Sequence, residues 1–463
     1  MQTLVSFSTP QLARLHRGKV RDSFRIDADT RLMVATDRLS AFDRVLETAI
    51  PGKGAVLNRL SGYWFEKTRD LVPNHMVDVV ADRAMVVREL EPIRVEMIVR
   101  GYITGSAWRA YASGERCLSG VELPEGLTHH QRLREPIVTP TTKDVHDSRI
   151  TPEAIVADGL ATETVYRKME AYALSLFSHA SKLLEDRELL LVDSKYEFGL
   201  LDGEVVLMDE IHTPDSSRFW SADDYDRDPE SVTSWDKEYV RRWLLAQRDA
   251  GRTPEALPAS VVGETQRRYA DLYERVTGTP VPPASEDPEA SLVRQLVASE
   301  IMKDAYVTLV IGSPSDRRHA DVIIEHLEPY DVAVRLRIAS AHKTPAHTEA
   351  LASELSGSAE PGVIIAIAGR SNGLGGALAA NTTVPVINCP PFADRTDLAI
   401  NIGSSLMMPS FVPAMTVIEP KNAAEAAIRC LNLPRLRRRC AEEISERRRD
   451  LQAADRTVKE RGE

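Results

Sequence analysis

Val307-Thr308-Leu309-Val310-Ile311-Gly312-Ser313-Pro314-Ser315-Asp316 is an unbroken apolar run that empties into a glycine turn and then into small hydroxylated residues. A run so short and continuous reads as a strand buried on both faces, the habit of a parallel sheet. The pattern returns twice. Residues 334–338 lead into Ser340-Ala341-His342-Lys343, and residues 363–368 lead into Gly369-Arg370-Ser371-Asn372-Gly373-Leu374-Gly375-Gly376. The first and third runs precede helix-like stretches, which predicts an α/β domain with its ligand beyond the carboxyl ends of the strands. Gly312 permits a tight turn, Ser313 and Ser315 supply hydroxyls, and a following helix presents free N–H groups to an anion. Asp316 can accept from sugar hydroxyls. Arg370 and Ser371 suit a phosphate or a carboxylate. His342 stands where the three loops meet and is the candidate for moving a proton. The third loop does not fit G-x-G-x-x-G, and the chain contains no Walker A pattern.

Working outward, 463 residues are too many for one ordinary core, and two to four domains are expected. The 43% hydrophobic and 27% charged content is that of a globular chain. A net charge of −11 argues against nucleic acid or an anionic membrane as partner, so anionic substrates must be held by local basic groups. Cys117, Cys389, Cys430 and Cys440 form no CxxC pair and read as reduced thiols. No run is long enough for a membrane helix, and residues 1–15 lack the layout of a secretory signal, so the expected location is the cytoplasm.

The clearest break is Gly278-Thr279-Pro280-Val281-Pro282-Pro283-Ala284-Ser285-Glu286-Asp287-Pro288, with four prolines among small and acidic residues. It divides the chain into residues 1–278, a linker and connector helix over 279–304, and a second domain over 305–463. Before the break the signals are mixed. A helix is expected over 162–185 and a hairpin over 196–208 around Asp202-Gly203, which makes this part α+β. The tail from Arg435 alternates charges and reads as a solvated helix laced with ion pairs, against the alternative of a nucleic-acid arm.

Glu197 and Asp209 flank the hairpin turn, where they either share a hard cation with a phosphate or form an ordinary surface pair. Lys19 lies in Gly18-Lys19-Val20-Arg21-Asp22, a region able to cover phosphates. Further polar clusters run Asp37-Arg38-Leu39-Ser40-Ala41-Phe42-Asp43, Arg100-Gly101-Tyr102-Ile103-Thr104-Gly105-Ser106-Ala107-Trp108, Thr141-Thr142-Lys143-Asp144-Val145-His146-Asp147 and Thr213-Pro214-Asp215-Ser216-Ser217-Arg218.

The order GSPSD, SAHK, IAGRSNGLGG, PVINCPP, SSLMMP and EPKNAA resembles the aminoimidazole ribonucleotide carboxylases of purine biosynthesis over about residues 306–433. That resemblance implies a flavodoxin-like three-layer domain, commonly octameric, needing neither biotin nor metal. It implies that Gly312, Ser313, Ser315, Asp316, Ser340, Gly369, Arg370 and Ser371 hold the nucleotide, and that His342 with Lys343 is catalytic. Lys343 and the GRSNGLG loop resemble the animal-type class, which uses carbon dioxide directly. The alternatives left open are a carbamate mutase, a non-catalytic oligomerisation module, or a phosphosugar-binding regulator with no turnover.

The clusters of the first part, taken in order over about residues 4–278, resemble SAICAR synthetase. That family joins aspartate to carboxyaminoimidazole ribonucleotide with ATP and magnesium, through an acyl phosphate, at a nucleotide site like those of ATP-grasp enzymes and kinases. The resemblance implies that Lys19, Arg21 and Lys195 meet ATP and that Glu197 and Asp209 hold magnesium. It assigns Asp37, Ser40, Arg100, Ser106, Asp193 and Arg218 to the imidazole nucleotide. His146 either orients a substrate or caps a loop, and Asp236 and Lys237 either belong to the site or begin a helix. The two resemblances together imply a bifunctional enzyme in which the product of the second part is the substrate of the first.

Overall fold

The computed structural model describes residues 2–42, 44–143, 148–252 and 254–461. The chain forms two compact units, one of residues 1–7 and 14–295 and one of residues 8–13 and 296–463. The proline-rich segment after the helix Ala259–Thr277 lies within the first unit. The expected connector helix runs Pro288–Ala298, so the division between units falls inside it.

The first unit is built on two antiparallel sheets. One runs Ala13–Arg17, Arg21–Arg25, Thr30–Ala35, Ala84–Arg88, Met76–Ala81. The other runs Arg132–Val138, Glu91–Tyr102, Leu189–Leu201, Glu204–Met208, with Ser217–Ser221 also paired to Leu189–Leu201. The hairpin is present: Glu197 pairs with Met208, and Asp202 and Gly203, both at positive φ, make the turn. The expected helix spans Glu163–Glu185, and the Thr162 side chain caps it by accepting from Val165 N–H.

One irregularity decides which way the long strand faces. Leu191 pairs with Phe219 and Asp193 with Arg218, so two residues of Leu189–Leu201 stand against one of its neighbour, a β-bulge at Val192. Before it, Leu189 and Leu191 join the core; after it, Tyr196 and Phe198 do, with Val95, Met97 and Val99 from the adjacent strand. Asp193, Lys195 and Glu197 are thereby turned to the opposite face, in register with Arg100, Ile98 and Glu96.

The second unit is one parallel sheet in the order Ala333–Ile338, Tyr306–Ile311, Gly362–Ile367, Val386–Asn388, Ala414–Thr416. This is the 2-1-3-4-5 order of a flavodoxin-like fold, with helices on both faces. Val307, Leu309 and Ile311 pack on the helices Arg317–Leu327 and Pro420–Leu431, while Tyr306 and Val310 pack on Pro345–Ser356 and Leu374–Ala380. The three expected strands are all present, and the middle one is also followed by a helix. The tail is the helix Pro434–Arg461, with pairs such as Arg439–Glu443 and Lys459–Asp455 along it, as the charge alternation predicts. No helix among the described residues is long and apolar enough to cross a membrane.

Candidate functional site

In the first unit, the charged face of Leu189–Leu201 floors a cleft of about 830 Å3. Of the residues singled out from sequence, Lys19, Arg21, Ser40, Arg100, Ser106, Asp193, Lys195, Glu197, Asp209 and Arg218 line it. Asp37 does not. It is fully buried and accepts from the backbone N–H of Leu4 at 2.8 Å and of Gly54 at 2.9 Å, and from Arg83 at 3.1 Å. Three donors from distant segments use up its carboxylate, which makes it a structural tether and corrects its expected place among nucleotide contacts. His146 and Asp43 lie outside the described residues.

At one end of the cleft, Lys195 contacts Glu197, reaches Glu96 at 3.2 Å and lies 3.9 Å from Asp209. Lys143 also contacts Glu197. Arg21 spans Asp209 at 3.3 Å and Glu210 at 2.6 Å. Glu197 and Asp209 respond in opposite directions. Burial, with repulsion from Glu197, pushes the Asp209 carboxyl up to about 6 even though a quarter (25%) of its side chain remains open to the cleft. Burial also works against ionised Glu197, but Lys195 and Lys143 outweigh it and hold that carboxyl at about 2.

These two carboxylates, one on the long strand and one just past the end of its neighbour, fit a hard cation. Magnesium takes one or two carboxylates and completes its shell with phosphate oxygens and water, and the ammonium of Lys195 now stands between them as compensating charge. Among the described residues, the compact His/Glu trio is elsewhere, at His129, His130 and Glu230. There the two imidazole centroids lie 3.7 Å apart with the rings tilted by 37°.

At the other end, Arg218 contacts Asp193, and Arg100 approaches it at 3.6 Å while donating to Thr139 Oγ1 at 2.9 Å. Burial lowers the Arg100 pKa to about 10, against the pull of Asp193. Gly105, at φ +56°, starts the helix that carries Ser106, and a Cβ there would come 2.8 Å from the Arg218 guanidinium. Asp236 is buried, lines the cleft and accepts from Glu238 N–H at 2.6 Å, just ahead of the helix Glu238–Asp249. Its neighbour Lys237 lines the cleft. The buried pair Lys53–Asp215, at 2.8 Å with Tyr269 donating to the other carboxylate oxygen, underlies the wall beside it. No sequence spacing announces that pair, because its members lie 162 residues apart.

In the second unit, the three loops meet at the carboxyl edge of the sheet. A Cβ on Gly312 would come 3.0 Å from Ala368, and one on Gly373 would come 3.2 Å from His342 Cε1 and 3.3 Å from Nε2. The first loop folds on itself, with Ser315 Oγ donating to Ser313 Oγ at 2.9 Å and Ser315 N–H to the same oxygen at 3.3 Å. Ser340 Oγ accepts from Lys343 N–H at 3.2 Å, which fixes the turn carrying exposed His342. Arg370, at φ +53°, opens the third loop; its carbonyl accepts from Ser404 Oγ at 2.7 Å, and Ser404 Oγ accepts from Asn372 N–H at 3.0 Å. Asn372 Nδ2 donates to Ser405 Oγ at 2.9 Å. Asn372, Ser404 and Ser405 thus brace the loop, a role that residue type alone did not reveal.

A family model described as SAICAR synthetase matches residues 14–256, and one described as AIR carboxylase matches residues 306–453. The phosphoribosylaminoimidazole-succinocarboxamide synthase of Bacteroides fragilis is 44% identical over 286 residues, covering 60% of this chain and 91% of its own. The protein of the same name from Flavobacterium psychrophilum is 41% identical over 286 residues, 60% of this chain and 90% of its own. Among solved structures, SAICAR-synthase from Saccharomyces cerevisiae complexed with SAICAR is 35% identical, with a TM-score of 0.55, covering 60% of this chain and all (100%) of that one.

Proposed function

The chain belongs to the SAICAR synthetase family and carries an AIR carboxylase domain behind it, and from that premise we propose how its residues divide the chemistry. It is a bifunctional enzyme of purine biosynthesis, a carboxylase and an ATP-dependent carbon–nitrogen ligase. The functional segments are 1–278 and 305–463.

In the synthetase cleft, Lys19, Arg21 and Lys195 receive the phosphates of ATP, with apolar Val20, Met33, Val87, Leu90 and Ile93 along the wall beside them. Glu197 and Asp209 hold magnesium, which supplies charge neutralisation to the phosphates. Ser40, Arg100, Ser106, Asp193 and Arg218 position carboxyaminoimidazole ribonucleotide. Its carboxylate takes the γ-phosphoryl group to give an acyl phosphate, and the aspartate amine then displaces phosphate to form the amide. The cleft's own work is placement and cationic compensation rather than proton transfer. The observation that carries this reading is the bulge at Val192, which turns Asp193, Lys195 and Glu197 together into the cleft opposite Arg100 and Glu96.

In the carboxylase domain, Gly312, Ser313, Ser315 and Asp316 cradle the ribose phosphate of aminoimidazole ribonucleotide, with Ser340, Gly369, Arg370 and Ser371 closing on it. Attack of the imidazole carbon on carbon dioxide leaves a proton on that carbon, and His342, steadied beside Lys343, removes it. No biotin or metal is invoked. Ile400, Leu406, Met407 and Phe411 are large apolar side chains left exposed, which supports self-association, up to an octamer. The setting is cytoplasmic.

The test gives purified protein aminoimidazole ribonucleotide and bicarbonate without ATP, then adds ATP, magnesium and aspartate. Carboxylated nucleotide is expected first and SAICAR second. Conversion of a supplied carbamate, with none from bicarbonate, would replace the carbon dioxide reading with the mutase; no conversion of either would leave the domain a non-catalytic assembly module. A mass measurement in solution checks the assembly.

A further inference from the structure

Lys237 is a cation in a cleft whose other nearby charges are already matched. It is half-buried and lines the cleft, yet no described residue hydrogen-bonds or ion-pairs with its ammonium. The acidic groups around it are committed elsewhere. Asp215 is held by Lys53 and Tyr269, each at 2.8 Å. Asp236 accepts from Ser234 Oγ at 2.6 Å, Glu238 N–H at 2.6 Å and Phe219 N–H at 3.3 Å. Glu238 lies 3.7 Å from both Arg218 and Arg241.

The backbone fixes where this ammonium stands. Lys237 N–H donates to the Pro214 carbonyl at 3.3 Å, and Arg241 N–H donates to the Lys237 carbonyl at 3.0 Å, so Lys237 and Arg241 sit one helical turn apart on one face. Both line the cleft. A charge withdrawn from water without a counter-charge is costly, and a binding cleft is where a ligand supplies the missing partner. Burial lowers the Lys237 pKa even against the pull of Asp215, whose own hydrogen bonds go to Lys53 and Tyr269.

We propose that Lys237, with Arg241 beside it, receives a carboxylate of the amino-acid substrate. The inference rests on the synthetase reading above. There, Lys19, Arg21 and Lys195 serve the triphosphate, and Arg100, Ser106 and Arg218 serve the nucleotide. The third reactant brings two carboxylates that neither set accounts for, and Lys237 and Arg241 are cations assigned to neither. The ion pair formed also fixes the amine of the same molecule relative to the nucleotide carboxylate it must reach.

The test is steady-state ligation by the full chain carrying Lys237→Met or Lys237→Arg, with aspartate, ATP and carboxyaminoimidazole ribonucleotide each varied in turn. Loss of one charge-assisted contact should raise the aspartate KM about tenfold or more in Lys237→Met, with the other two KM values within about twofold of the parent. Lys237→Arg should recover most of the loss. Inhibition by succinate, a probe with carboxylates and no amine, should weaken in parallel. An unchanged aspartate KM, a fall in kcat alone, or a rise confined to the KM of nucleotide or ATP would overturn the assignment. A Lys237→Met chain that does not fold leaves Lys237→Gln to give the same readout, with ADP-induced thermal stabilisation as the fold check. If the parent protein shows no aspartate-dependent ATP consumption, the synthetase reading itself fails, an outcome distinct from failure of this site.

Discussion

The imidazole of His342 lies against the bare Cα of Gly373, so close that a methyl group there would stand 3.2 Å from Cε1. The second and third loops therefore share one surface, and the position of the proposed base depends on a residue 31 positions away. Gly373→Ala is expected to push the ring aside and lower carboxylation about tenfold or more, since misplacing a reacting group by a fraction of an ångström is costly. Ligation of supplied carboxyaminoimidazole ribonucleotide should be unchanged. Equal carboxylation by the variant and the parent would show that His342 does not need this wall.

His342→Asn is expected to remove carboxylation by a factor of about 100 or more while sparing ligation, and Asp209→Asn to do the reverse. Separate assays of the two half-reactions check this. Loss of both activities from either change would argue for one shared centre.

Glu197 and Asp209 should leave opposite marks on stability. The folded pKa of Asp209, about 6, lies above its ordinary 3.8, so its contribution favours the native state below about pH 4 and is lost as pH rises through 6. Neutral Asp209→Asn should therefore be more stable than the parent at pH 7.5, by up to roughly 3 kcal/mol, and the gap should close toward pH 4. Glu197, held at about 2, stabilises above its ordinary 4.5 and loses that contribution only as pH falls through 2, so Glu197→Gln should be less stable at pH 7.5. Thermal midpoints of both variants from pH 4 to 8, without divalent cation, decide the matter; shifts of the same sign would refute the opposed arrangement.

Lys53 has no exposed side-chain surface and Asp215 only 3%. Lys53→Met would leave a buried carboxylate with Tyr269 as its side-chain donor and Lys237 as its nearby cation, at a cost of about 3–5 kcal/mol. Because Asp215 also borders the cleft, adding Asp215→Asn to Lys53→Met should restore part of the stability without restoring full ligation. Denaturant midpoints of the single and double variants measure this coupling; additive losses would mean the pair is not one unit.

Much of this architecture is legible in the amino-acid order because its signals are local. Continuous apolar runs ending at Gly312, Ser340 and Gly369 announce parallel strands, and Asp202-Gly203 announces a hairpin. The features that escaped reading are those defined by distance in sequence. Asp37 sits in a polar cluster that reads as part of a site, but its donors come from Leu4, Gly54 and Arg83. Asp236 and Lys237 read as the start of a helix, and only packing shows that both border the cleft. Asn372 reads as one polar residue of a glycine loop until Ser404 and Ser405 are brought beneath it.

The bulge at Val192 gives the synthetase half an unusual vulnerability. Side chains on a strand alternate, so the extra residue acts as a parity bit: everything downstream is read with the opposite sign. Removing that one amino acid would leave every charged group of the cleft in the chain, yet send Asp193, Lys195 and Glu197 inward and Tyr196 and Phe198 out to water. For this enzyme a shortened strand is a graver change than almost any substitution in it, because the activity depends on counting as much as on chemistry.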